Sequence, residues 1–376
     1  MRRNMTVASL RRMLDAGELT PREAIMLCRD VDEGLFSHPL HERAMQRAVY
    51  AQERIDERSA RATTGVPIAV EDSLSIAGAP NALGTAAYDA TIVQKLDGYG
   101  ALIVGAVYGA PLGIAPVGSG MARHAVEARL CAAALGSGVL FSGGGAHFDS
   151  GVTALKPSFG TVSRYGLVVA APSLKQIGII APDARDAATM MDAISDFDPF
   201  DPAMRRPNCY DYAQDIGKEV DTLTVGIVRG ANAAPIEAMG CGTARVEMPD
   251  KIRITYDAVE GAEAVFTLAV PTAAGSAAGV FANLLEKGKA VLDGGIYPGA
   301  LASRAMIAEQ LRAALKICDA LLMPTQGESG VLSAMAAELS GLPCVTRGDV
   351  MLIGRMYDEV TLLRLIGALE GGRDAC

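Results

Sequence analysis

Two short apolar runs, at residues 66–70 and 101–107, place the strongest limit on what this chain can fold into. Both carry no charge, are rich in β-branched residues and are bounded by turn-forming residues, a pattern typical of strands that are buried on both faces. Helical spacing of apolar residues appears at residues 7–14, and Thr20-Pro21-Arg22-Glu23 has the pattern of a capping box that opens a second helix. Further helices are expected at residues 42–62, 91–96, 121–135 and 183–194. The residues therefore predict an α/β fold.

Residues 133–178 contain a dense cluster of glycine, serine and histidine. In it Ser142 is followed by three glycines, Gly143 to Gly145, and such a run usually means that the backbone adopts positive φ or passes very close to another group. A serine beside glycines is also the commonest composition of an ordinary loop. The residues alone leave both interpretations open.

Composition excludes several classes of protein. The 376 residues carry a net charge of −9, so no basic footprint is present and direct nucleic-acid binding is not expected. The seven cysteines are scattered without metal-ligand spacing, which predicts reduced thiols in a cytoplasmic protein with no metal and no cofactor. Neither a signal peptide nor a membrane span is expected, because the apolar runs are short and interrupted.

Seven short motifs spread along the chain form a longer sequence pattern. It consists of LKPSFGTVSRYGLV at residues 155–168, SLKQIG at 173–178, GVPIAVED at 65–72, DATIV at 89–93, DALLMPT at 319–325, GLP at 341–343 and LIGRMYDE at 352–359. In these motifs the chain resembles the amidase signature family, and most of all the A subunits of the glutamyl-tRNA(Gln) amidotransferases. The resemblance implies one domain over residues 1–376, a mixed central β-sheet covered by helices on both faces. It divides the chain into a helical arm (1–62), a signature core (63–200), a shortened, divergent segment (205–310) and a return to the core (311–376).

Members of this family cleave amides with a relay in which a neutral lysine takes a proton through a bridging serine from the nucleophilic serine. By resemblance, the nucleophile position falls on Ser142, which is retained. The bridging position falls on Gly118, with Ser119 beside it, so the hydroxyl is lost at the position itself. The lysine position falls on Glu71. A carboxylate is a far weaker base than a desolvated amine unless burial raises its pKa.

The loop before the nucleophile is altered as well. In the family, its glycines let backbone N–H groups hold the oxyanion. Here the corresponding residues are Gly138, Val139, Leu140 and Phe141, and the two bulky side chains are expected to spoil this binding loop. The resemblance thus implies an amidase-like protein that lacks the serine, bridging-serine and lysine hydrolase activity.

We therefore expect a catalytically inactive pseudo-amidase with a structural or regulatory role, as a subunit beside an amidase-type partner or as a homodimer. One alternative is a weak or rewired amide hydrolase in which Ser142 is the nucleophile and Glu71 works through His124 or His147.

A second alternative is a non-cleaving module that binds a small carboxylate or amide. In that case the N–H groups of residues 118–120 and 142–145 would hold the ligand. Local basic groups, Lys156, Arg164 and Arg123, would have to offset the acidic net charge.

Overall fold

The computed structural model describes residues 5–29, 34–81, 84–114, 120–141, 151–205, 211–268 and 278–373. Within these ranges thirteen strands are present: β1 (Phe36–Pro39), β2 (Pro67–Glu71), β3 (Pro80–Asn81), β4 (Gly84–Thr85), β5 (Leu102–Val107), β6 (Ala133–Ser137), β7 (Thr153–Lys156), β8 (Ile177–Ala181), β9 (Thr224–Val228), β10 (Gly242–Val246), β11 (Ala320–Met323), β12 (Cys344–Arg347) and β13 (Val350–Gly354).

Eleven of these strands form one sheet in the order β1-β5-β2-β6-β8-β7-β12-β13-β11-β9-β10. The pairs β5/β2, β2/β6, β11/β9 and β9/β10 are parallel, and the other pairs are antiparallel. Strands β3 and β4 form a separate hairpin. Every residue of β2, β5, β6 and β8 is buried, as expected for the centre of a sheet flanked by other elements.

Helices flank the sheet, and their bounds are α1 (Val7–Asp15), α2 (Pro21–Arg29), α3 (His41–Asp56), α4 (Thr91–Gly98), α5 (Gly120–Glu127), α6 (Ala184–Ile194), α7 (Ala234–Ala238), α8 (Ile252–Thr267), α9 (Ala278–Asp293), α10 (Tyr297–Ala314), α11 (Gly327–Ser340) and α12 (Glu359–Arg373). The predicted capping box forms at α2, where the Thr20 hydroxyl accepts from the Glu23 N–H and the Glu23 carboxylate accepts from the Thr20 N–H. The fold is a single α/β domain with a large mixed central sheet, which confirms the predicted fold class.

Two predicted helices were wrong in extent. Residues 121–135 divide into α5, which ends at Glu127, and β6, which begins at Ala133. Alanine favours helices in isolation, but here the small side chains let β6 lie fully buried between β2 and β8. The third helix ends at Asp56 and not at residue 62.

The N-terminal arm contributes a strand that the sequence did not predict. Strand β1 pairs antiparallel with β5 at the edge of the main sheet. Phe36 packs closely on Gly105, where an added Cβ atom would lie 2.3 Å from the Phe36 ring. In the described residues, no helix is both long and apolar enough to cross a membrane.

Candidate active site

Glu71, one of the residues singled out from the sequence, lies at the carboxyl ends of three adjacent parallel strands. Glu71 is the last residue of β2, Ser137 is the last residue of β6, and Gly109 lies just after β5. In α/β sheets this edge is where ligands bind, because the loops that leave the strands diverge there and form a crevice. The strand order β5-β2-β6 therefore places Glu71 at the centre of the candidate site.

The Glu71 side chain is completely buried. Its Oε2 atom accepts from the backbone N–H of Ser137 at 2.8 Å, from the Ser73 hydroxyl at 3.2 Å and, at 3.4 Å, from the Ser137 hydroxyl. The Ser137 N–H can only donate, so it suits a carboxylate oxygen at this position and not an ammonium group. The site is built around a buried acceptor at position 71.

Two glycines make room for this carboxylate. A Cβ atom added to Gly136 would lie 2.1 Å from Cδ of Glu71, and one added to Gly109 would lie 3.1 Å from its Oε2 atom. Real side chains do not approach so closely, so the β6 backbone can run past Glu71 only because residue 136 has no side chain. The fit between Glu71 and Gly136 is thus a specific packing relationship.

The loop that follows β6 is a tight turn. Gly138 adopts a left-handed conformation with φ of 63°, and the Phe141 N–H donates to the Gly138 carbonyl at 2.9 Å. The side chains of Val139, Leu140 and Phe141 are all buried. The N–H of Phe141 is therefore used inside the turn, and the loop side chains belong to the core.

Neighbouring elements hold the turn in place. Val139 lies against Gly178 in β8, where an added Cβ atom would be 2.4 Å from the Val139 side chain. Nη2 of Arg123, a buried residue of α5, donates to the Val139 carbonyl at 3.3 Å. Burial lowers the pKa of Arg123 to about 10, although the nearby Glu127 carboxylate opposes this shift. The turn thus has one packed conformation.

A buried lysine beside this turn was missed by the sequence analysis. Lys175 is 1% exposed, and its Nζ atom donates to Oε2 of Glu338 at 2.7 Å and to the Tyr256 hydroxyl at 2.7 Å. The same Nζ atom lies 5.2 Å from the centre of the Phe141 ring. Lys175 thus connects Phe141, the residue before Ser142, to helices α8 and α11.

Tyr256 and Glu338 complete this cluster, and the Tyr256 hydroxyl donates to the Glu338 carboxylate. Desolvation and the Glu338 charge raise the pKa of Tyr256 well above its usual value, so the phenol stays neutral. One signal could have revealed the lysine: it is the only charged residue between Arg164 and Asp183, and a charge in such a stretch needs a buried partner.

The cluster also adjoins the Glu71 site. A Cβ atom added to Gly113 would lie 3.3 Å from the Ser137 hydroxyl and 3.5 Å from Cγ of Lys175. Ser137 and Lys175 therefore flank the same glycine. The site holds a buried carboxylate on one side and a buried, paired ammonium on the other.

Several of the predicted site residues cannot be placed. Gly118, Ser119, Ser142 and His147 lie outside the described residues. His124 is exposed on α5, whereas Glu71 is inaccessible to solvent. This difference in burial disfavours a proton relay from Glu71 to His124.

Two basic residues considered for anion binding are engaged elsewhere. Lys156 is buried in β7 and donates to the carbonyls of Leu342 at 2.6 Å and Pro157 at 3.2 Å. Burial lowers its pKa to about 8. Arg164 forms an ion pair with Asp201 at 3.3 Å. Across the portion of the chain that the structure describes, no group of three His, Cys, Asp or Glu side chains could hold a metal ion.

Comparison with known proteins gives consistent matches. The family model described as Amidase matches residues 118–240. The A subunit of the glutamyl-tRNA(Gln) amidotransferase from Desulfosudis oleivorans is 32% identical over 259 residues, which cover 60% of this chain and 53% of the relative. Its counterpart from Neisseria meningitidis serogroup A is 27% identical over 417 residues, covering 86% of this chain and 87% of the relative. The chain thus spans about half the length of the first of these relatives.

Solved structures of similar fold include the native peptide amidase from Stenotrophomonas maltophilia, with a TM-score of 0.82 at 20% identity, covering 98% of this chain and 97% of that one. A 6-aminohexanoate cyclic dimer hydrolase has a TM-score of 0.79 at 18% identity, with 98% and 96% covered. At this level of identity the structures show that the fold is shared.

Proposed function

Because this chain belongs to the amidase signature family, we propose that it is a member without amide-hydrolysing activity and that its role is that of a structural or regulatory subunit. One observation carries the proposal. The N–H of Phe141 donates to the Gly138 carbonyl, and the side chains of Leu140 and Phe141 fill the core. An oxyanion needs preorganised N–H groups that point at it, and removing a single such donor costs about 10²- to 10³-fold in rate.

The Glu71 environment supports the same conclusion. The family relay requires a neutral amine at this position, and here a carboxylate accepts from Ser137 and Ser73. These hydrogen bonds hold the carboxylate in place as an acceptor from neighbouring residues. Both the base and the oxyanion loop therefore depart from what amide hydrolysis requires.

An interaction role is supported by the surface. Helices α8 and α10 pack against each other and expose large apolar side chains, of which Ile254, Phe266 and Met306 are each more than 60% exposed. Contiguous exposed apolar patches mark contact surfaces, and we propose that these side chains belong to one such surface. These helices lie mostly within residues 205–310, the segment that differs most from the family pattern. Because the relatives are named as subunits of an amidotransferase, an amidase-type partner is one candidate, and a second copy of the chain is the other.

The setting proposed for this protein is the cytoplasm. Each of the five cysteines in the described ranges is a buried free thiol: Cys28, Cys131, Cys241, Cys318 and Cys344. Free buried thiols are typical of proteins in reducing compartments.

The rival function is a slow amide hydrolase. It is favoured by the retained Ser142 in the sequence. It is also favoured by the buried Lys175, whose ammonium lies against the ring of Phe141, the residue before Ser142. The ion pair with Glu338 works against it, because the Lys175 ammonium is already held by Glu338 and the Tyr256 hydroxyl.

Labelling with a serine-reactive fluorophosphonate separates the two functions. We expect no stoichiometric modification of the folded protein, and the same background in Ser142→Ala. A catalytically competent amidase of the family serves as the positive control. Rapid one-to-one labelling that disappears in Ser142→Ala would show that the site is active and that the proposal is wrong.

The interaction role has its own test. Purification from the native host, followed by sedimentation velocity, is expected to show a complex larger than 39.0 kDa. Met306→Glu should weaken that complex, whereas Glu309→Lys, an exposed charge change on the same helix, should weaken it less. A strictly monomeric protein without a partner would remove the support for this role.

A further inference from the structure

Three exposed aromatic rings form a row on the surface beside the site. The rings of Tyr88 and Tyr165 are 5.4 Å apart between centroids, and those of Tyr165 and Phe200 are also 5.4 Å apart. Phe200 is 70% exposed, Tyr88 46% and Tyr165 39%. The sequence has only 18 Tyr and Phe residues in 376 and no Trp, so this concentration of rings is unusual for the chain.

A buried carboxylate fixes the three segments that carry the rings. Asp198 is 3% exposed, and its Oδ2 atom accepts from the hydroxyls of Ser163 at 2.5 Å and Thr91 at 2.6 Å. Its Oδ1 atom accepts from the N–H of Phe200 at 2.8 Å. Burial alone would raise the pKa of Asp198, but these hydrogen bonds outweigh it and lower the pKa, so the carboxylate stays ionised.

The row is therefore preorganised. Ser163 lies two residues before Tyr165, and Thr91 lies three residues after Tyr88. The Thr91 N–H also donates to the Tyr165 carbonyl at 3.1 Å. Rings that are exposed but held in place lose little conformational freedom when a ligand stacks on them, which favours binding.

A cavity of about 180 Å³ lies at the end of the row formed by Tyr165 and Phe200. Its apolar wall is formed by Tyr165, Leu167, Val169 and Phe200, and its polar rim by Arg164 and Asp201. A cavity of about 150 Å³ can hold a benzene molecule, so this volume admits one aromatic ring. The rim is neutral as a unit, because Arg164 and Asp201 pair at 3.3 Å and the Arg164 guanidinium also donates to the Pro172 carbonyl.

The cavity wall continues into the Glu71 site. The Val168 N–H donates to the Ser73 carbonyl at 2.8 Å, and Ser73 in turn donates to Glu71. The side chain of Val169, which lines the cavity, lies 3.1 Å from the Cβ position of Gly113, the glycine that Ser137 and Lys175 flank. A ring bound in the cavity would sit just outside the site.

We propose that the cavity beside Tyr165 and Phe200 binds the aromatic ring of a small uncharged molecule. The rings supply stacking surfaces, since aromatic pairs favour offset or tilted contacts at 4.5–7 Å. The Pro172 carbonyl and the paired Arg164 and Asp201 supply hydrogen-bonding groups at the rim without selecting a net charge. This assignment does not require hydrolysis, so it stands or falls independently of the proposed inactivity.

The absence of tryptophan from the sequence provides a clean assay. N-acetyltryptophanamide is the probe, because its indole emission is free of background from this protein. We expect a saturable blue shift when the protein is titrated into the probe. Phe200→Ala should raise the dissociation constant about tenfold, the effect of losing one stacked ring. Ile317→Ala removes an apolar side chain of similar exposure, 71%, which belongs to neither the row nor the candidate site, and should leave binding unchanged.

The thermal midpoints of both variants are measured first, and Tyr88→Ala provides a second loss of a ring in the same row. Equal binding by wild type and Phe200→Ala, or no saturable binding at all, would overturn the proposal. Competition by N-acetylleucinamide as effective as that by N-acetylphenylalaninamide would overturn the selectivity for a ring. Self-association that depends on Phe200 and occurs without the probe would reassign the row to a protein contact.

Discussion

The Ser137 backbone N–H donates to the Glu71 carboxylate at 2.8 Å, across the ends of two neighbouring parallel strands. This bond joins β2, which ends at Glu71, to β6, which leads into the turn before Ser142. Position 71 must therefore carry a hydrogen-bond acceptor for the Ser137 N–H where the two strands end. The carboxylate at this position is therefore part of the structure of the sheet edge.

The two substitutions Glu71→Gln and Glu71→Lys test this requirement. Glutamine keeps one carbonyl oxygen for the Ser137 N–H, so Glu71→Gln should lower the free energy of unfolding by about 1 kcal/mol. Glu71→Lys places a buried cation against N–H and O–H donors and should cost about 3 kcal/mol or more. Urea denaturation measures both. Equal stability of the two variants would show that no acceptor is needed at this position.

Gly136 and Glu71 should be energetically coupled. Gly136→Ala places a Cβ atom inside the space of the Glu71 side chain, so it should cost about 3 kcal/mol in the wild type. In a Glu71→Ala background the same change should cost less than about half as much. Gly299→Ala is the control, because a Cβ atom there meets nothing within 4 Å. Additive costs in the double mutant would rule out the coupling.

The buried pair of Lys175 and Glu338 is expected to behave differently from surface pairs. Lys175→Met leaves the Glu338 charge buried without its ammonium partner, so it should lower the free energy of unfolding by about 3–5 kcal/mol. The double variant Lys175→Met, Glu338→Leu removes both charges and should recover part of that loss. Lys218→Met breaks an exposed pair with Asp215 and should change the stability by less than about 1 kcal/mol. Chemical denaturation of the four proteins gives the comparison, and a Lys175→Met protein as stable as Lys218→Met would contradict it.

The contact between α1 and α6 should make stability depend on pH. Asp186 accepts from the N–H groups of Val7 at 2.7 Å and Ala8 at 3.1 Å. Burial, together with the nearby Asp183 and Glu370 carboxylates, raises its pKa to about 7, whereas in the unfolded chain it is about 3.9. Because the folded state binds the proton more tightly, this contribution is complete below pH ~4 and is lost as the pH rises through about 7.

Unfolding free energies measured from pH ~4 to ~8 on wild type and Asp186→Asn check this expectation. The asparagine variant does not titrate at this position, so its stability relative to wild type should rise over that range. A difference between the two proteins that stays constant with pH would mean that Asp186 does not titrate there.

The sequence predicted the central strands well because their signal is local. Residues 66–70 and 101–107 are short, uncharged and β-branched, and they became β2 and β5. At β6 the local signal misled, since the alanines at positions 132–134 favour a helix until β2 and β8 enclose them. Strand β1 has only four residues, and its pairing with β5 lies nearly seventy positions away, where no local pattern can report it.

The candidate site shows the same contrast between local sequence signals and contacts made by distant residues. Position 71 was identified from its motif, but its donors are Ser137 and Ser73, and the first of these comes from another strand. Lys175 is the only charged residue between Arg164 and Asp183, yet its partners Tyr256 and Glu338 lie more than eighty positions away on two helices. Contacts of this kind depend on the packing of distant elements, which one sequence does not encode in any local pattern.

The arm that carries β1 has a consequence for biosynthesis. A ribosome makes residues 36–39 before it makes β5, the strand whose outer edge they cover. Open strand edges invite pairing with other chains, most of all while a chain is incomplete. Here the covering strand is already present when the vulnerable edge emerges. A shortened gene that starts at residue 63 would reverse that order, and its product should aggregate during expression although the candidate site is intact.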